Sequence, residues 1–383
     1  MSASFRPKSF LVDPKQYRAF KSHEAVDKSS GMENDKMTTY QKIISDATWL
    51  GADIENSERW VYRLTEDDIA ELDQALTGAR SRGVGLAELK RDDFPLPGLG
   101  PRLEQMLDEI ENGLGLFLFR GFPAEAYSKD DLRYLFWAVG LYCGTAVSQS
   151  NRGDVLGDVR AIGTPHDGPA FRGYTSNGEL SYHTDAADVT ALFCLQAAKE
   201  GGLSRIVSTP AIHNAILAER PELLAPLYDI YHWGRQGNEL PGQSPYYTQP
   251  IFAVESGRFA GRYTRTHIRT AELGGITPTL TDAQNEGLNF IDQICTRPAF
   301  NLTMMFEPGD MQFLNNHLTM HTRTAFQDDQ EEERKRHLLR LWFSPPNSHA
   351  LPESFQPFFR DINAGAVRGG FPSPDGQTVF ETQ

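Results

Sequence analysis

A short stretch near the middle of the chain, Tyr182-His183-Thr184-Asp185, decides how the rest of the sequence is interpreted. Side chains alternate along an extended strand, so a His-x-Asp pair projects an imidazole and a carboxylate from the same side. The approach over residues 173–180 is rich in turn-forming residues, and the following stretch 189–195 is apolar and β-prone. This pattern predicts two polar side chains at the mouth of a buried strand.

A second histidine segment lies downstream, in Asn316-His317-Leu318-Thr319-Met320-His321-Thr322-Arg323. It follows an apolar run at 302–306, the turn Glu307-Pro308-Gly309-Asp310 and a returning strand at 311–314, which together predict a β-hairpin. His317 and His321 compete as the partner of the first pair, since histidines four apart share one face of a helix. The flanks favour strand and loop, and no glutamate follows His317 as in an HExxH zinc site. We therefore choose His321.

These three residues would form a 2-His-1-carboxylate triad, the ligand set that holds non-haem Fe(II) with open positions. An organic acid bound there as cosubstrate needs an arginine, whose planar fork binds a carboxylate with two hydrogen bonds. The run from Arg334 to Phe343 offers Arg336 and Arg340, which face one way if the segment is a strand. Arg334 and Lys335 are explained as a solvated edge beside the acidic run 328–333.

The order His-x-Asp, Pro-Gly-Asp, Asn-x4-His-x-Arg and Arg-x3-Arg resembles the taurine dioxygenase and clavaminate synthase-like family of Fe(II)/2-oxoglutarate-dependent dioxygenases. The resemblance extends from about Leu64 to about Pro346. It implies a mostly β, α+β fold with a double-stranded β-helix (a cupin-like jelly roll) flanked by helices. It also implies that oxidative decarboxylation of 2-oxoglutarate to succinate and CO2, with O2, is coupled to C–H oxidation of a small molecule. Hydroxylation is the default outcome, desaturation or cyclisation share the same residues, and Asp185 disfavours halogenation.

The resemblance carries individual residues with it. His183, Asp185 and His321 become the catalytic iron ligands, and Arg336 takes the position that pairs with the distal carboxylate of 2-oxoglutarate. Cosubstrate binding also involves Ser204, in the turn Gly201-Gly202-Leu203-Ser204, and Arg340. The acidic insert before Arg334 leaves the choice between Arg336 and Arg340 open. Four further residues are near enough in sequence to line the substrate space: Tyr182, Asn177, Tyr174 and Arg172.

Two alternatives from other classes remain open at this point. A cupin-like metalloenzyme that does not use 2-oxoglutarate would need the metal ligands but be indifferent to Arg336. A non-catalytic binding protein on the same fold would not need an intact triad, and the triad argues against it. The sequence does not identify the substrate or the oligomeric state.

Bulk properties set limits on partners and organisation. We expect residues 1–45 to form an arm, partly disordered, and residues 46–383 to form one domain with a helical and loop insert at about 205–300. The formal charge of −14 argues against nucleic acid and membrane surfaces as partners. Three widely spaced cysteines and the lack of a signal or membrane segment favour a cytoplasmic protein.

The loop 237–249 has two interpretations. It is either a lid, in which Tyr246 and Tyr247 could cap a substrate, or an ordinary surface insertion.

Overall fold

The computed structural model describes residues 40–162, 173–275 and 277–380. The α-helices in these ranges are α1 Gly51–Ile54, α2 Glu66–Ser81, α3 Leu99–Asn112, α4 Lys129–Cys143, α5 Thr209–Glu219, α6 Leu224–Tyr228, α7 Arg265–Leu273, α8 Asp282–Cys295 and α9 Gln356–Phe359. The first eight strands are β1 Val61–Arg63, β2 Leu116–Arg120, β3 Thr145–Ala146, β4 Leu156–Val159, β5 Val189–Gln196, β6 Glu200–Gly201, β7 Ser204–Ser208 and β8 Tyr231–Gly234. The remaining strands are β9 Tyr246–Gln249, β10 Phe252–Glu255, β11 Arg258–Gly261, β12 Leu302–Met304, β13 Met311–Asn315, β14 Thr319–Arg323, β15 Phe326–Gln327 and β16 His337–Ser344.

A seven-stranded mixed sheet forms the centre of the molecule. Its strands follow the order β1-β2-β13-β5-β16-β3, and β4 also pairs with β16. Only β1 and β2 run parallel, and the other pairs of this sheet are antiparallel. The central strands β5 and β16 read as near-continuous apolar runs because both faces of the sheet are covered. The predicted mixture of strands and flanking helices is confirmed at this level.

The predicted hairpin at 302–314 is wrong. Strand β12 pairs with β7 in a separate three-stranded sheet of order β12-β7-β14, whereas β13 lies in the seven-stranded sheet. The turn between them therefore crosses from one sheet to the other. Gly309 permits this crossing, because its φ is 94° and a Cβ there would lie 1.8 Å from the carbonyl oxygen of Phe122.

The two sheets and the helices enclose three apolar clusters. Helices α2, α3 and α4 cover one face of the large sheet, where Leu103 of α3 and Phe136 of α4 belong to the same apolar cluster as Phe193 of β5. A second cluster fills the space between the two sheets and includes Leu118 and Ile206. Thr65 and Asp68 form a capping box at the start of α2.

The region 205–300 contains β7 to β11 and helices α5 to α8, together with connecting loops. Its third apolar cluster joins these elements to the C-terminal segment around α9. Part of the loop proposed as a lid is a strand, since β9 pairs with β8. Tyr247, one of the two tyrosines that could cap a substrate, is only 4% exposed and packs against Trp233 and Phe358.

The described residues also include part of the predicted arm. Residues 1–39 lie outside the described ranges, but Ile43 exchanges two hydrogen bonds of 2.8 Å with the side chain of Asn214 on α5. None of the described helices is long and apolar enough to cross a membrane.

Candidate metal centre and cosubstrate cavity

His183 and His321 are brought together by backbone pairing. The two residues form an isolated antiparallel bridge in which each N–H donates to the carbonyl of the other, over 3.0 and 2.9 Å. Directly paired residues place their side chains on the same face, and the ring centroids are 4.4 Å apart. The segment that carries His183 is not a strand as predicted, because it makes only single bridges, here and to Thr264.

Asp185 follows in an irregular segment just before β5, so the predicted position of the His-x-Asp pair at the mouth of a buried strand is confirmed. Asn316 fixes this segment twice, since its side chain accepts from the Asp185 N–H at 2.9 Å and donates to the Thr190 hydroxyl at 3.0 Å. Thr190 and Trp342 then donate to the same carboxylate oxygen of Asp185, each over 2.9 Å. The carboxylate is thus oriented by partners on β5 and β16.

His183, Asp185 and His321 offer ligand atoms that all lie within 4.8 Å of one another, and within the described ranges they are the only such group of histidine, cysteine and acidic residues. His317 does not join them, because its Nε2 lies 2.8 Å from Asp188. His321 Nε2 and Asp185 Oδ2 are 4.0 Å apart, too far for a hydrogen bond.

Protonation in the cluster suits a metal cation. Burial and the neighbouring His183 lower the pKa of His321 to about 3, so its imidazole is neutral and offers a lone pair. Burial opposes ionisation of Asp185, but the charge of Arg340 and the hydrogen bond from Trp342 favour it, and the pKa of Asp185 lies well below its usual range. His183 Nδ1 lies 2.8 Å from the Ser181 carbonyl, which leaves Nε2 available to a metal ion. His321 Nδ1 is buried without a hydrogen-bond partner among the described residues. The residues present therefore fit a divalent metal.

The cluster opens into a cavity of about 380 Å³ that has apolar and polar walls. Four buried arginines line it, namely Arg262, Arg323, Arg336 and Arg340, and so do Ser204 and Gln149. A cavity of this size accommodates small molecules.

The two arginines predicted for the cosubstrate lie in different surroundings. Arg340 lies beside the candidate metal ligands, with Nη1 3.5 Å from Asp185 Oδ1 and Nε donating to Gln149 Oε1 at 2.7 Å. Arg336 precedes β16 and lies against the turn that contains Gly202, where a Cβ would be 3.5 Å from its Nε. Both are buried, whereas Arg334 is exposed and pairs with Asp329, as predicted for a solvated edge beside the acidic run.

The four residues predicted to line the substrate space lie in different places in the structure. Tyr182 lines the cavity, and its hydroxyl donates to the Asn301 side chain. Asn177 is exposed and is not among the residues that line the cavity. Tyr174 belongs to a short 3-10 helix, Gly173–Thr175, but its side chain lies outside the described structure, as does Arg172 altogether.

Sequence reasoning missed several residues of this site. Arg323 belongs to the His-x-Arg motif but received no role, although it lies two residues from His321 and therefore faces the same side of β14. The sequence assigns no role to Trp342, whose indole N–H donates to Asp185. Gln149 and Arg262 come from distant segments with no local motif, so only the tertiary structure brings them to the cavity.

Comparisons with known proteins identify the family. The model of the family described as "Taurine catabolism dioxygenase TauD, TfdA family" matches residues 73–342. FR-33289 synthase from Streptomyces rubellomurinus (strain ATCC 31215) is 34% identical over 318 residues, which cover 82% of this chain and 93% of that protein. The chain belongs to the TauD/TfdA family, and it is an Fe(II)- and 2-oxoglutarate-dependent dioxygenase that acts on a small molecule. This membership decides against both the cupin-like metalloenzyme and the non-catalytic binding protein.

Solved structures support the fold. Asparagine oxygenase in complex with Fe(II), 2S,3S-3-hydroxyasparagine and succinate matches with a TM-score of 0.57 at 16% identity, covering 74% of this chain and 93% of that one. The non-haem iron oxygenase OrfP in complex with Fe and alpha-ketoglutaric acid matches with a TM-score of 0.55 at 13% identity, with the same coverage. At these identities the likeness is one of fold.

Proposed function

We propose that His183, Asp185 and His321 are the Fe(II) ligands and that the adjoining cavity binds 2-oxoglutarate and the substrate. The observation that carries this assignment is the convergence of three ligand atoms within 4.8 Å at the wall of one cavity. When bound, iron activates O2 and couples decarboxylation of 2-oxoglutarate to oxidation of a substrate C–H bond. The protein contributes a dry pocket, fixed ligand orientations and the charges that hold the acids.

The choice between the two arginines follows from their neighbours. Arg336 is not among the groups that set the charge of Asp185, and it lies with Ser204 at the end of the cavity bounded by the Gly201–Ser204 turn. We assign these two residues to the distal carboxylate of 2-oxoglutarate. Arg340 belongs to the metal end, where its charge balances Asp185 and is available to an acid group of the cosubstrate or substrate.

The substrate is a small molecule, and hydroxylation is the outcome we propose. Four residues were predicted to line the substrate space. Of these, the geometry supports Tyr182, which lies on the cavity wall next to His183. The two facing sheets, with an apolar cluster between them, support a double-stranded β-helix as the core. A cytoplasmic location rests on three buried free cysteines, as a reducing compartment would leave them.

Two variants separate the metal from the cosubstrate. Asp185→Ala removes a charged ligand, so we expect loss of Fe(II) binding and of turnover. Arg336→Ala should leave the affinity for Fe(II) unchanged. It should weaken the binding of 2-oxoglutarate by about tenfold or more, because a charge-assisted ion pair with the distal carboxylate is lost. Anaerobic equilibrium titrations measure both constants.

Arg334→Ala is the matched control, because Arg334 is two residues away with its side chain 64% exposed. It should bind 2-oxoglutarate as the wild type does. Full activity of Asp185→Ala would refute the ligand assignment. Unchanged 2-oxoglutarate affinity in Arg336→Ala would show that Arg340, and not Arg336, binds the distal carboxylate.

A further inference from the structure

Arg323 and Arg336 form a pair of buried cations at one end of the cavity. Both side chains line it, and they are only 7% and 6% exposed. Their guanidinium carbons lie 4.5 and 5.2 Å from the ring centroid of Phe326, so both pack against the same aromatic side chain. Arg323 is also the register partner of Ser204 across β14 and β7. Two arginines and a serine, Arg323, Arg336 and Ser204, therefore lie at the same end of the cavity, where their side chains can donate hydrogen bonds to a carboxylate.

The charges of this pair are not balanced by an ion pair in the described protein. Arg334 and Arg340 have carboxylate oxygens at 3.6 and 3.5 Å, but neither Arg323 nor Arg336 has a comparable contact within the described ranges. Burial lowers the pKa of Arg336 to about 10, and the charge of Asp328 opposes this shift only in part. A buried cation without a partner is costly, so this end of the cavity favours an anion.

One donor group in particular lacks an acceptor. Arg323 Nη2 donates to the Gly178 carbonyl at 2.6 Å, whereas Nη1 is buried and has no hydrogen-bond partner among the described residues. A role limited to supporting the Gly178 segment would account for the first contact but not for the buried Nη1. Since His321 and Arg323 are two residues apart on β14, their side chains leave the strand on the same side, about 7 Å apart along it. One small dicarboxylate can reach from the metal centre to Arg323.

We propose that Arg323 is a second arginine of the 2-oxoglutarate site and that it clamps the distal carboxylate together with Arg336. This inference rests on the proposed function of the cavity. The carboxylate has two oxygens and room for several donors, so it can accept from Nη1 of Arg323 while it pairs with Arg336. The clamp makes recognition of a dicarboxylate depend on residues of two chain segments, β14 and the start of β16.

The test compares two keto acids on the full-length protein loaded anaerobically with Fe(II). Both 2-oxoglutarate and 2-oxopentanoate have the metal-chelating end, but 2-oxopentanoate has a methyl group in place of the distal carboxylate. We expect Arg323→Met to weaken 2-oxoglutarate binding by about ten- to a hundredfold, the loss typical of a hydrogen bond to a charged group. The same variant should bind 2-oxopentanoate as the wild type does. Isothermal titration calorimetry measures both dissociation constants without turnover.

Two further variants keep the test decisive. Arg205→Met is the matched control, because Arg205 lies next to Ser204 on β7, pairs with Glu179 and does not line the cavity; it should leave both constants unchanged. Arg323→Lys keeps a positive charge without the planar fork, so it should retain part of the affinity and preserve the fold if Arg323→Met does not.

The two keto acids distinguish a clamp from a purely structural role of Arg323. An equal loss of affinity for both keto acids would show a structural role and overturn the clamp. Unchanged 2-oxoglutarate binding in Arg323→Met and Arg323→Lys would also overturn it while leaving the proposed function intact. A wild-type protein that binds Fe(II) but not 2-oxoglutarate would overturn the proposed function itself.

Discussion

Replacing Trp342 by phenylalanine should weaken metal binding although Trp342 is not a ligand. Its indole N–H donates to Asp185 Oδ2 at 2.9 Å, and Trp342 is only 5% exposed. A hydrogen bond to a buried charged group contributes about 1.5–3 kcal/mol. With about 1.4 kcal/mol for each tenfold change, Trp342→Phe should weaken Fe(II) binding by about ten- to a hundredfold. Loss of a partner that orients a metal ligand typically has an effect of this order.

The assay is an anaerobic Fe(II) titration of folded wild-type and variant proteins. Trp137→Phe is the matched control, because the indole N–H of Trp137 is buried without a hydrogen-bond partner in the described structure. It loses the same atoms from the protein but no bond to Asp185, so its affinity for Fe(II) should equal that of the wild type. An unchanged dissociation constant in Trp342→Phe, with its fold preserved, would refute the role of this N–H in orienting the carboxylate.

Two predictions concern stability rather than the metal. His317→Gln should leave the Fe(II) affinity unchanged but lower the free energy of unfolding by about 1–3 kcal/mol, since it disrupts the buried 2.8 Å contact with Asp188; weaker Fe(II) binding would instead restore His317 as a ligand. Burial raises the pKa of Asp158, but hydrogen bonds from His337 and Arg133 outweigh this and hold it well below its usual value. The stability contributed by Asp158 should therefore be present at neutral pH and decline as the pH falls below about 4. Urea unfolding of wild type and Asp158→Asn at pH 7 and pH 3 tests this, and an identical loss on acidification in both proteins would contradict it.

The sequence predicted that His183, Asp185 and His321 lie together, as they do in the structure, because much of the information is local. The spacing of His183 and Asp185, with an apolar strand after them, marks a ligand pair, and the strand-like flanks of His321 separate it from His317. The local sequence does not show that His183 pairs with His321 through an isolated β-bridge. It also does not show that the Asn316 side chain holds the Asp185 segment in place.

The errors have a similar physical cause. An apolar run, a tight turn and a second apolar run predict a hairpin, but the same pattern fits a turn that crosses between two facing sheets. Which arginine serves which end of the cavity depends on contacts with Gly202 and Asp185, neither of which is adjacent in sequence. Arg323 was overlooked because a cation beside a metal ligand has no distinctive pattern until its burial and missing acceptor are seen.

The most direct test of the iron and 2-oxoglutarate site is an anaerobic titration of the wild-type apoprotein with Fe(II) and then with 2-oxoglutarate, followed by visible absorption. A weak metal-to-ligand charge-transfer band requires iron and a chelating keto acid in the same site. We predict that this band develops with 2-oxoglutarate in the wild type and is absent in Asp185→Ala. Iron binding without the band would contradict the cosubstrate site, and failure to bind iron would contradict the metal centre of His183, Asp185 and His321.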